Sequence, residues 1–108
     1  MKDVNSKSEI IERIRNNKMI ILYFSGTSCG ACDVIKEKVE KVLQDYPNIE
    51  VLEINGAVNI ELAAEYGVFS LPVLLLFVEG KEAIRVGRYF DVLDFHNNIH
   101  RYYEMLFN

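Results

Sequence analysis

The segment Met19-Ile-Ile-Leu-Tyr-Phe-Ser-Gly-Thr-Ser-Cys-Gly-Ala-Cys32 decides the fold, because it joins a strand pattern to a helix pattern through two cysteines. Residues 19–24 are strand formers and almost continuously apolar, which is typical of a central strand covered on both faces. Gly26-Thr27-Ser28 follows as an exit loop. From Gly30 the apolar residues recur with a period of about 3.6, which predicts a helix that ends before Pro47.

Cys29 and Cys32 are the two cysteines of the chain. Side chains at positions i and i+3 of a helix share one face and lie about 5 to 6 Å apart, which is within reach of a disulfide bond. The unpaired N–H groups and the positive end of the dipole at a helix start favour a thiolate over a thiol. The spacing therefore predicts a redox-active pair with Cys29 as the nucleophile. A purely structural disulfide is the alternative, although a loop closed over three residues removes little chain entropy.

The remainder of the chain alternates between helix and strand patterns. The predicted elements outside the opening segment are a helix from the capping pair Ser6 and Glu9 to Asn16, a strand over 49–55, a helix from the cap Asn59 to Gly67, a hairpin of strands over 73–78 and 83–86, and a helix capped by Asp91. This order predicts an α/β fold with a central mixed β-sheet, helices on both faces and an antiparallel C-terminal hairpin.

Size and composition limit the classes of function. The 108 residues are half apolar, which predicts a single domain spanning 1–108. A net charge of −4 and a pI of about 5.1 leave no basic stripe for phosphates, so we expect no nucleic-acid partner. The apolar run from Val73 to Val78 is too short to cross a bilayer, so no membrane segment is expected. The polar N-terminus does not resemble a signal peptide, which predicts a cytoplasmic protein.

The order of motifs resembles the thioredoxin family. The resemblance rests on a buried strand, a Cys-x-x-Cys pair that opens a helix, and Pro72 about forty residues later at the start of another buried strand. It is strengthened by Phe24, by the run Leu71-Pro72-Val73-Leu74-Leu75-Leu76-Phe77, and by Gly80 and Val86-Gly87, so it covers nearly the whole chain.

The resemblance implies a thioredoxin-like fold and a thiol-disulfide oxidoreductase. It implies no bound cofactor apart from a redox-active Cys29–Cys32 disulfide. The partners it implies are disulfide-containing protein substrates and a flavoprotein similar to thioredoxin reductase, and we expect a monomer. It also implies a cis peptide bond between Leu71 and Pro72, which would pack against the cysteines and present the Leu71 backbone to an extended substrate.

The same resemblance implies which residues meet the substrate. Ser28, Leu71, Pro72 and Gly87 are the predicted substrate-binding residues, with Thr27 and Arg88 as further candidates. Arg88 is otherwise interpreted as a solvated loop side chain.

Several residues depart from the family pattern. Ser28 stands where thioredoxins usually have tryptophan, Ala31 where they have proline, and Asp33 where they have a basic residue. Tyr23 occupies the position of a buried acid thought to help deprotonate the second cysteine, and a phenol with a pKa of about 10 is a poor base at pH 7. Glu53 or water could take that role, although the favoured interpretation of Glu53 is a solvent-facing strand residue.

The departures predict how the cysteine pair is tuned. Gly30, Ala31, Asp33 and Tyr23 are the candidate redox-tuning residues. Asp33 opposes a thiolate at Cys29, and Gly30-Ala31 supplies no cation to favour one. We therefore expect a reducing pair, in which Cys29 attacks a substrate disulfide and Cys32 resolves the mixed disulfide.

Other functions remain open at this point. His96 and His100 are four residues apart and could combine with the cysteines in a zinc site, but about sixty residues separate the two pairs, so no metal site is predicted. An iron–sulfur cluster held between two chains by one cysteine each is also possible. The alternative from another class is a thioredoxin-fold binding or redox-sensing adaptor without turnover, which the residues at positions 23, 28 and 31 keep open.

Overall fold

The computed structural model describes residues 1–107, which form a five-stranded sheet and four α-helices. The elements are β1 (Lys2–Asp3), α1 (Lys7–Asn16), β2 (Met19–Ser25), α2 (Gly30–Leu43), β3 (Glu50–Asn55), α3 (Ile60–Glu65), β4 (Val73–Val78), β5 (Lys81–Val86) and α4 (Val92–Phe107). The strand order is β1-β3-β2-β4-β5. β1, β3 and β2 pair in parallel, whereas β4 is antiparallel to both β2 and β5. The predicted α/β class with a mixed sheet is confirmed.

The central strand divides the core into two halves. All seven residues of β2 are buried, and successive side chains of a strand point to opposite faces. The even-numbered residues from Ile20 to Phe24 pack with side chains of α1 and α3. The odd-numbered residues from Met19 to Tyr23 pack with side chains of α2 and α4. The continuous apolar run of β2 is therefore explained by helices on both faces of the sheet.

Two features of the sheet differ by more than one residue from the sequence-based expectation. The short strand β1 was not expected, because two exposed residues carry no pattern of their own; Lys2 and Asp3 are ordered by pairing with Leu52 and Glu53 of β3. β5 begins at Lys81, because pairing with β4 extends to the first residue after the turn.

The helix caps show which N-cap residues could be predicted from the sequence. Ser6 caps α1 by accepting a hydrogen bond from the Glu9 N–H at 3.3 Å, as expected. Asp91 accepts from the N–H groups of Leu93 and Asp94 at 3.0 and 3.1 Å, which confirms it as a cap of α4. Asn59 is the N-cap residue of α3, as expected, and its carbonyl accepts from the Ala63 N–H at 3.0 Å. Its side chain makes no capping hydrogen bond, and its amide donates to Asn5 and to the Asn55 carbonyl. A membrane crossing needs a helix both longer and more apolar than any described for residues 1–107.

Candidate active site

The two cysteines lie at the N-terminus of α2 and differ in exposure. Cys29 is the N-cap residue of α2, and Cys32 lies in its first turn. They form a disulfide bond with their Cα atoms 5.2 Å apart. Cys29 is partly exposed, whereas Cys32 is only 1% exposed. Only the first sulfur is therefore open to another molecule.

Backbone hydrogen bonds surround the first cysteine. The Sγ atom of Cys29 accepts a hydrogen bond from the Cys32 N–H at 3.2 Å. The Cys29 carbonyl accepts from the Asp33 N–H, also at 3.2 Å, which begins the helix. An N–H donor aimed at the sulfur stabilises negative charge there, and the dipole of α2 acts in the same direction. The local geometry is therefore suited to a thiolate at Cys29.

The loop before the cysteines has an unusual backbone. Ser28 has φ of 55°, in the left-handed region that most side chains avoid, and its side chain is exposed. Thr27 accepts a hydrogen bond from the Asn55 side chain at 3.2 Å, which ties the loop to the end of β3. A Cβ atom at Gly30 would meet nothing within 4 Å, so there is open space beside the second position of the motif.

Tyr23 lies beneath the cysteine pair. Its side chain is fully buried, and its hydroxyl donates a hydrogen bond to the Cys32 carbonyl at 2.6 Å. Burial raises the pKa of Tyr23 far above its ordinary value, and the negative charges of Glu53 and Asp33 raise it further. The phenol therefore stays protonated and holds the first turn of α2, and it cannot accept a proton near neutral pH.

Glu53 is not a solvent-facing residue, and that interpretation is wrong. Its side chain is 15% exposed and accepts hydrogen bonds from Ser25 at 2.7 Å and Lys36 at 2.8 Å. Burial on its own would raise the pKa of Glu53, but the hydrogen bonds from Lys36 and Ser25 outweigh it and hold the pKa below the ordinary value. Glu53 also pairs in register with Tyr23 across β2 and β3. The sequence offered no sign of this, because Glu53 reaches Ser25 and Lys36 only in the folded sheet.

Leu71 and Pro72 lie beside the cysteine loop. The peptide bond between them is cis. A Cβ atom at Gly26 would lie 3.0 Å from Leu71 Cδ1 and 3.9 Å from Cys29 Cβ, so these three residues are adjacent. A Cβ atom at Gly56 would lie 2.9 Å from Leu71 Cδ2. The Leu71 side chain therefore fits between two glycines, neither of which was among the predicted site residues.

The segment after β5 lies along the same backbone. A Cβ atom at Gly87 would lie 3.6 Å from the Pro72 carbonyl oxygen. The next residue, Arg88, is exposed but donates a hydrogen bond from Nη2 to the Leu71 carbonyl at 3.2 Å. Arg88 is therefore held against the candidate substrate-binding backbone, which its interpretation as a solvated loop side chain had not anticipated.

Comparison with known proteins places this arrangement in a family. The profile of the thioredoxin family matches residues 2–99. The chain belongs to the thioredoxin family. Its Cys29–Cys32 pair fits the Cys-x-x-Cys motif, and this thioredoxin-family protein is a thiol-disulfide oxidoreductase.

Individual thioredoxins support this assignment. The chain is 30% identical over 105 residues to the thioredoxin-like protein YdfQ of Bacillus subtilis, which covers 97% of this chain and 94% of that protein. It is 32% identical over 79 residues to thioredoxin-1 of Saccharomyces cerevisiae, which covers 73% of this chain and 77% of that protein. A mutant thioredoxin from Halobacterium salinarum NRC-1 is similar in structure, with a TM-score of 0.82, 27% identity, and coverage of 94% of this chain and 88% of that one.

An apolar groove borders the active site of this thioredoxin-family protein on the side of Leu71. It has a volume of about 440 Å³ and is lined by Gly56, Ala57, Ile60, Ala63, Val68, Phe69, Ser70 and Leu71. The Phe69 side chain is 85% exposed and that of Ile60 is 67% exposed. Two large apolar side chains therefore face solvent at the edge of a groove that reaches the cis peptide bond.

The histidines of the zinc alternative have other partners. His96 Nε2 lies 3.0 Å and His100 Nδ1 lies 3.2 Å from the hydroxyl of Tyr46. Across residues 1–107, no three side chains of the types His, Cys, Asp or Glu are grouped so that they could hold a metal ion. The two histidines instead join α4 to Tyr46, which lies in the turn after α2.

Proposed function

We propose that this protein reduces disulfide bonds in other proteins, with Cys29 as the nucleophile and Cys32 as the resolving cysteine. The observation that carries the proposal is the asymmetry of the pair. Cys29 is partly exposed at the start of α2 and accepts the Cys32 N–H, while Cys32 is 1% exposed. An exposed sulfur with a nearby donor is suited to attack another molecule, and a buried sulfur is suited to react only with its neighbour.

The reaction takes place in two exchange steps. The thiolate of Cys29 attacks one sulfur of a substrate disulfide, which forms a mixed disulfide and releases the other substrate sulfur as a thiolate that takes up a proton. Cys32 then loses its proton and attacks the Cys29 sulfur, which closes the Cys29–Cys32 disulfide and releases the second substrate thiol. Two electrons pass from the cysteine pair to the substrate. A reductant, which we infer to be a flavoprotein similar to thioredoxin reductase, returns the pair to the dithiol.

The direction of the reaction follows from the charges near the pair. Asp33 lies in the first turn of α2, where a carboxylate disfavours a thiolate at Cys29. Gly30 and Ala31 add no cation between the cysteines. A thiolate that is less stabilised makes the dithiol a stronger reductant, since each pKa unit corresponds to about 30 mV for a two-electron couple. Asp33, Gly30 and Ala31 therefore support a reductant, and we propose that it works in a reducing compartment such as the cytoplasm.

Substrate binding is assigned to the backbone beside Cys29. We propose that Ser28, Leu71, Pro72 and Gly87 form the substrate-binding surface. A Cβ atom at Gly26 would lie near both Leu71 and Cys29, and one at Gly87 would lie 3.6 Å from the Pro72 carbonyl oxygen, which supports this assignment. An extended segment of substrate that pairs with this backbone would bring its disulfide to Cys29. We propose that the protein binds as a monomer of one domain.

The test is turnover together with trapping of the mixed disulfide. Reduction of insulin is measured in dithiothreitol with the wild-type protein, Cys29→Ser and Cys32→Ser. We expect the wild type to turn over repeatedly, Cys29→Ser to be inactive, and Cys32→Ser to accumulate one insulin chain on Cys29, detected by mass spectrometry. Turnover by Cys29→Ser, or a substrate adduct on Cys32 in that variant, would contradict the assignment.

A binding or redox-sensing adaptor without turnover is the second candidate function. The observation that favours it is Tyr23, which stands where thioredoxins usually have a buried acid. Burial raises the pKa of Tyr23, so this residue cannot accept a proton from the second cysteine near neutral pH. An adaptor would bind a partner in one redox state and would reduce no insulin beyond one equivalent per cysteine pair. The same assay therefore separates the two functions.

A further inference from the structure

The Arg88 guanidinium stands next to the backbone that we assign to the substrate. Its Nη2 donates to the Leu71 carbonyl at 3.2 Å, and the preceding Gly87 lies against the Pro72 carbonyl. Two consecutive residues after β5 are thus in contact with the cis-proline segment. A carbonyl oxygen has two lone pairs, so a substrate N–H can bind the Leu71 carbonyl while Arg88 keeps its own hydrogen bond.

The charge of Arg88 is not neutralised within the described part of the chain. No carboxylate of residues 1–107 forms an ion pair with it, whereas Arg13 pairs with Glu50 and Arg85 pairs with Glu82. The acid closest in sequence, Asp91, uses its Oδ1 atom to accept the N–H groups of Leu93 and Asp94. A guanidinium has five N–H donors, and Arg88 uses one of them on Leu71. The other donors are available to a ligand.

We infer that Arg88 is a specificity-determining residue that selects substrates with a carboxylate beside the reacting cysteine. The inference rests on the proposed function, since it assigns the substrate class of the same site. When a peptide pairs with the Leu71 backbone, its neighbouring side chains lie near the Arg88 guanidinium. A carboxylate on one of these side chains forms a charge-assisted, bidentate contact with Arg88. The net charge of −4 otherwise disfavours acidic partners, so preference for an acidic segment has to come from a local cation such as Arg88.

Matched peptides test the inference. Three peptide disulfides are compared that differ only in the residues flanking cysteine, which are Asp, the isosteric Asn, or Lys. The pre-reduced protein reacts with each, and the released thiol is quantified by chromatography after acid quench, because the chain has no tryptophan to report the change. We expect the wild type to reduce the Asp peptide about twofold to fivefold faster than the Asn peptide, with the Lys peptide slowest.

Three variants separate the local contact from a general effect of charge. In Arg88→Gln the Asp-to-Asn rate ratio should fall to about one, and Arg88→Lys should keep part of it, because a single ammonium cannot form the bidentate contact. The control is Arg15→Gln, which removes the same charge from an exposed position of α1 at the opposite end of β2, near the β4–β5 turn. It should keep the wild-type ratio.

The outcomes also distinguish this inference from the proposed function. If the wild type reduces all three peptides at equal rates, or if Arg88→Gln keeps the wild-type ratio, the inference is overturned and the reductase function stands. An equal fall of the ratio in Arg15→Gln would also overturn it, since the preference would then reflect net charge. If no peptide is reduced at all, the proposed function fails together with the inference.

Discussion

Tyr23 and Glu53 show where the negative charge near the cysteines lies in this chain. The buried position beneath Cys32 holds Tyr23, which donates to the Cys32 carbonyl and stays protonated. The carboxylate of this region is instead Glu53, on the neighbouring strand, where Ser25 and Lys36 hold it as an anion. Tyr23 thus holds the first turn of α2, and Glu53 carries the negative charge. Each can be varied separately.

Asp33→Asn tests the effect of charge on the cysteine pair. Removing a negative charge from the first turn of α2 favours the thiolate of Cys29, lowers the pKa of that thiol and stabilises the dithiol. The reduction potential, measured by equilibration with glutathione, is expected to rise by about 10 to 30 mV. Glu37→Gln is the control, because it removes the same charge from an exposed position one turn farther along α2. Equal shifts in the two variants would contradict a local effect of Asp33.

Glu53→Gln tests the buried carboxylate through its pH dependence. Because the pKa of Glu53 is lowered on folding, its contribution to stability is present above the ordinary glutamate pKa of about 4.3 and is lost as pH falls through the folded value. At pH 7 we expect the variant to lose about 1 to 2 kcal/mol in the free energy of unfolding, since charged hydrogen bonds from Ser25 and Lys36 are weakened. The measurement is urea denaturation between pH 7 and pH 2.

The two stability curves should approach each other at the acid end of that range, where the wild-type carboxyl is also protonated. A constant difference between the wild type and Glu53→Gln at every pH would show that the loss comes from packing and not from ionisation.

At the level of the elements, the β4–β5 hairpin shows how a local conformation limits the choice of residue. Val78 pairs with Lys81, so the turn has two central residues, Glu79 and Gly80. Both have positive φ, 51° and 81°, as a type I′ turn requires. Glycine adopts this conformation without strain, but glutamate does not. The turn forms because the strands on either side pair from Leu74 with Val86 to Val78 with Lys81, with one register shift between Leu76 and Phe77.

Glu79→Asn is therefore expected to stabilise the protein. Asparagine tolerates positive φ, and Asn-Gly is the preferred sequence of a type I′ turn, so we expect a gain of about 0.5 to 1 kcal/mol. Thermal unfolding should show a rise in Tm of about 2 to 6 °C. Glu37→Asn makes the same substitution inside α2 and should lower Tm, because asparagine is a weaker helix former. A lower Tm for Glu79→Asn would refute the turn argument.

For the whole molecule, strand direction determines where the site forms. β2 and β3 are parallel, so the cysteine loop and Gly56 follow their carboxyl ends at one edge of the sheet. β4 is antiparallel to β2 and therefore starts at that edge, directly after Pro72. β5 reverses again and ends there, before Gly87 and Arg88. Segments from four parts of the chain meet at this edge because of topology.

Gly56→Ala tests the assembly of this edge. An added Cβ atom would lie 2.9 Å from Leu71 Cδ2, so the Leu71 side chain must move away from position 56. We expect a loss of about 1 to 2 kcal/mol in stability and a higher KM for protein disulfides. In Gly30→Ala the new atom meets nothing within 4 Å, and stability should be unchanged or higher by up to about 1 kcal/mol. Equal stability effects in the two variants would contradict close packing at Gly56.

Much of the fold was predictable because its signals are local. The bounds of β4, the start of α2 at the cysteine pair, and the caps at Ser6 and Asp91 follow from patterns within a few residues. Asn59 takes the predicted N-cap position of α3, but its side chain makes no capping hydrogen bond. Its amide instead donates to the Asn55 carbonyl and to Asn5, and the contact with Asn5 could not be predicted because Asn5 is distant in sequence. The strand β1 was missed for a related reason, since only β3 orders it.

The amino-acid pattern alone indicates the fold class, the placement of the cysteine pair at a helix start and the resemblance to thioredoxins, because periodicity, capping and motif spacing act over short distances. Other contacts exist only in the folded molecule: Lys36 donates to Glu53, Leu71 fits against Gly26 and Gly56, and Arg88 donates to Leu71. These contacts join residues far apart in the chain, and their partners are set by how the strands are ordered and directed in the sheet.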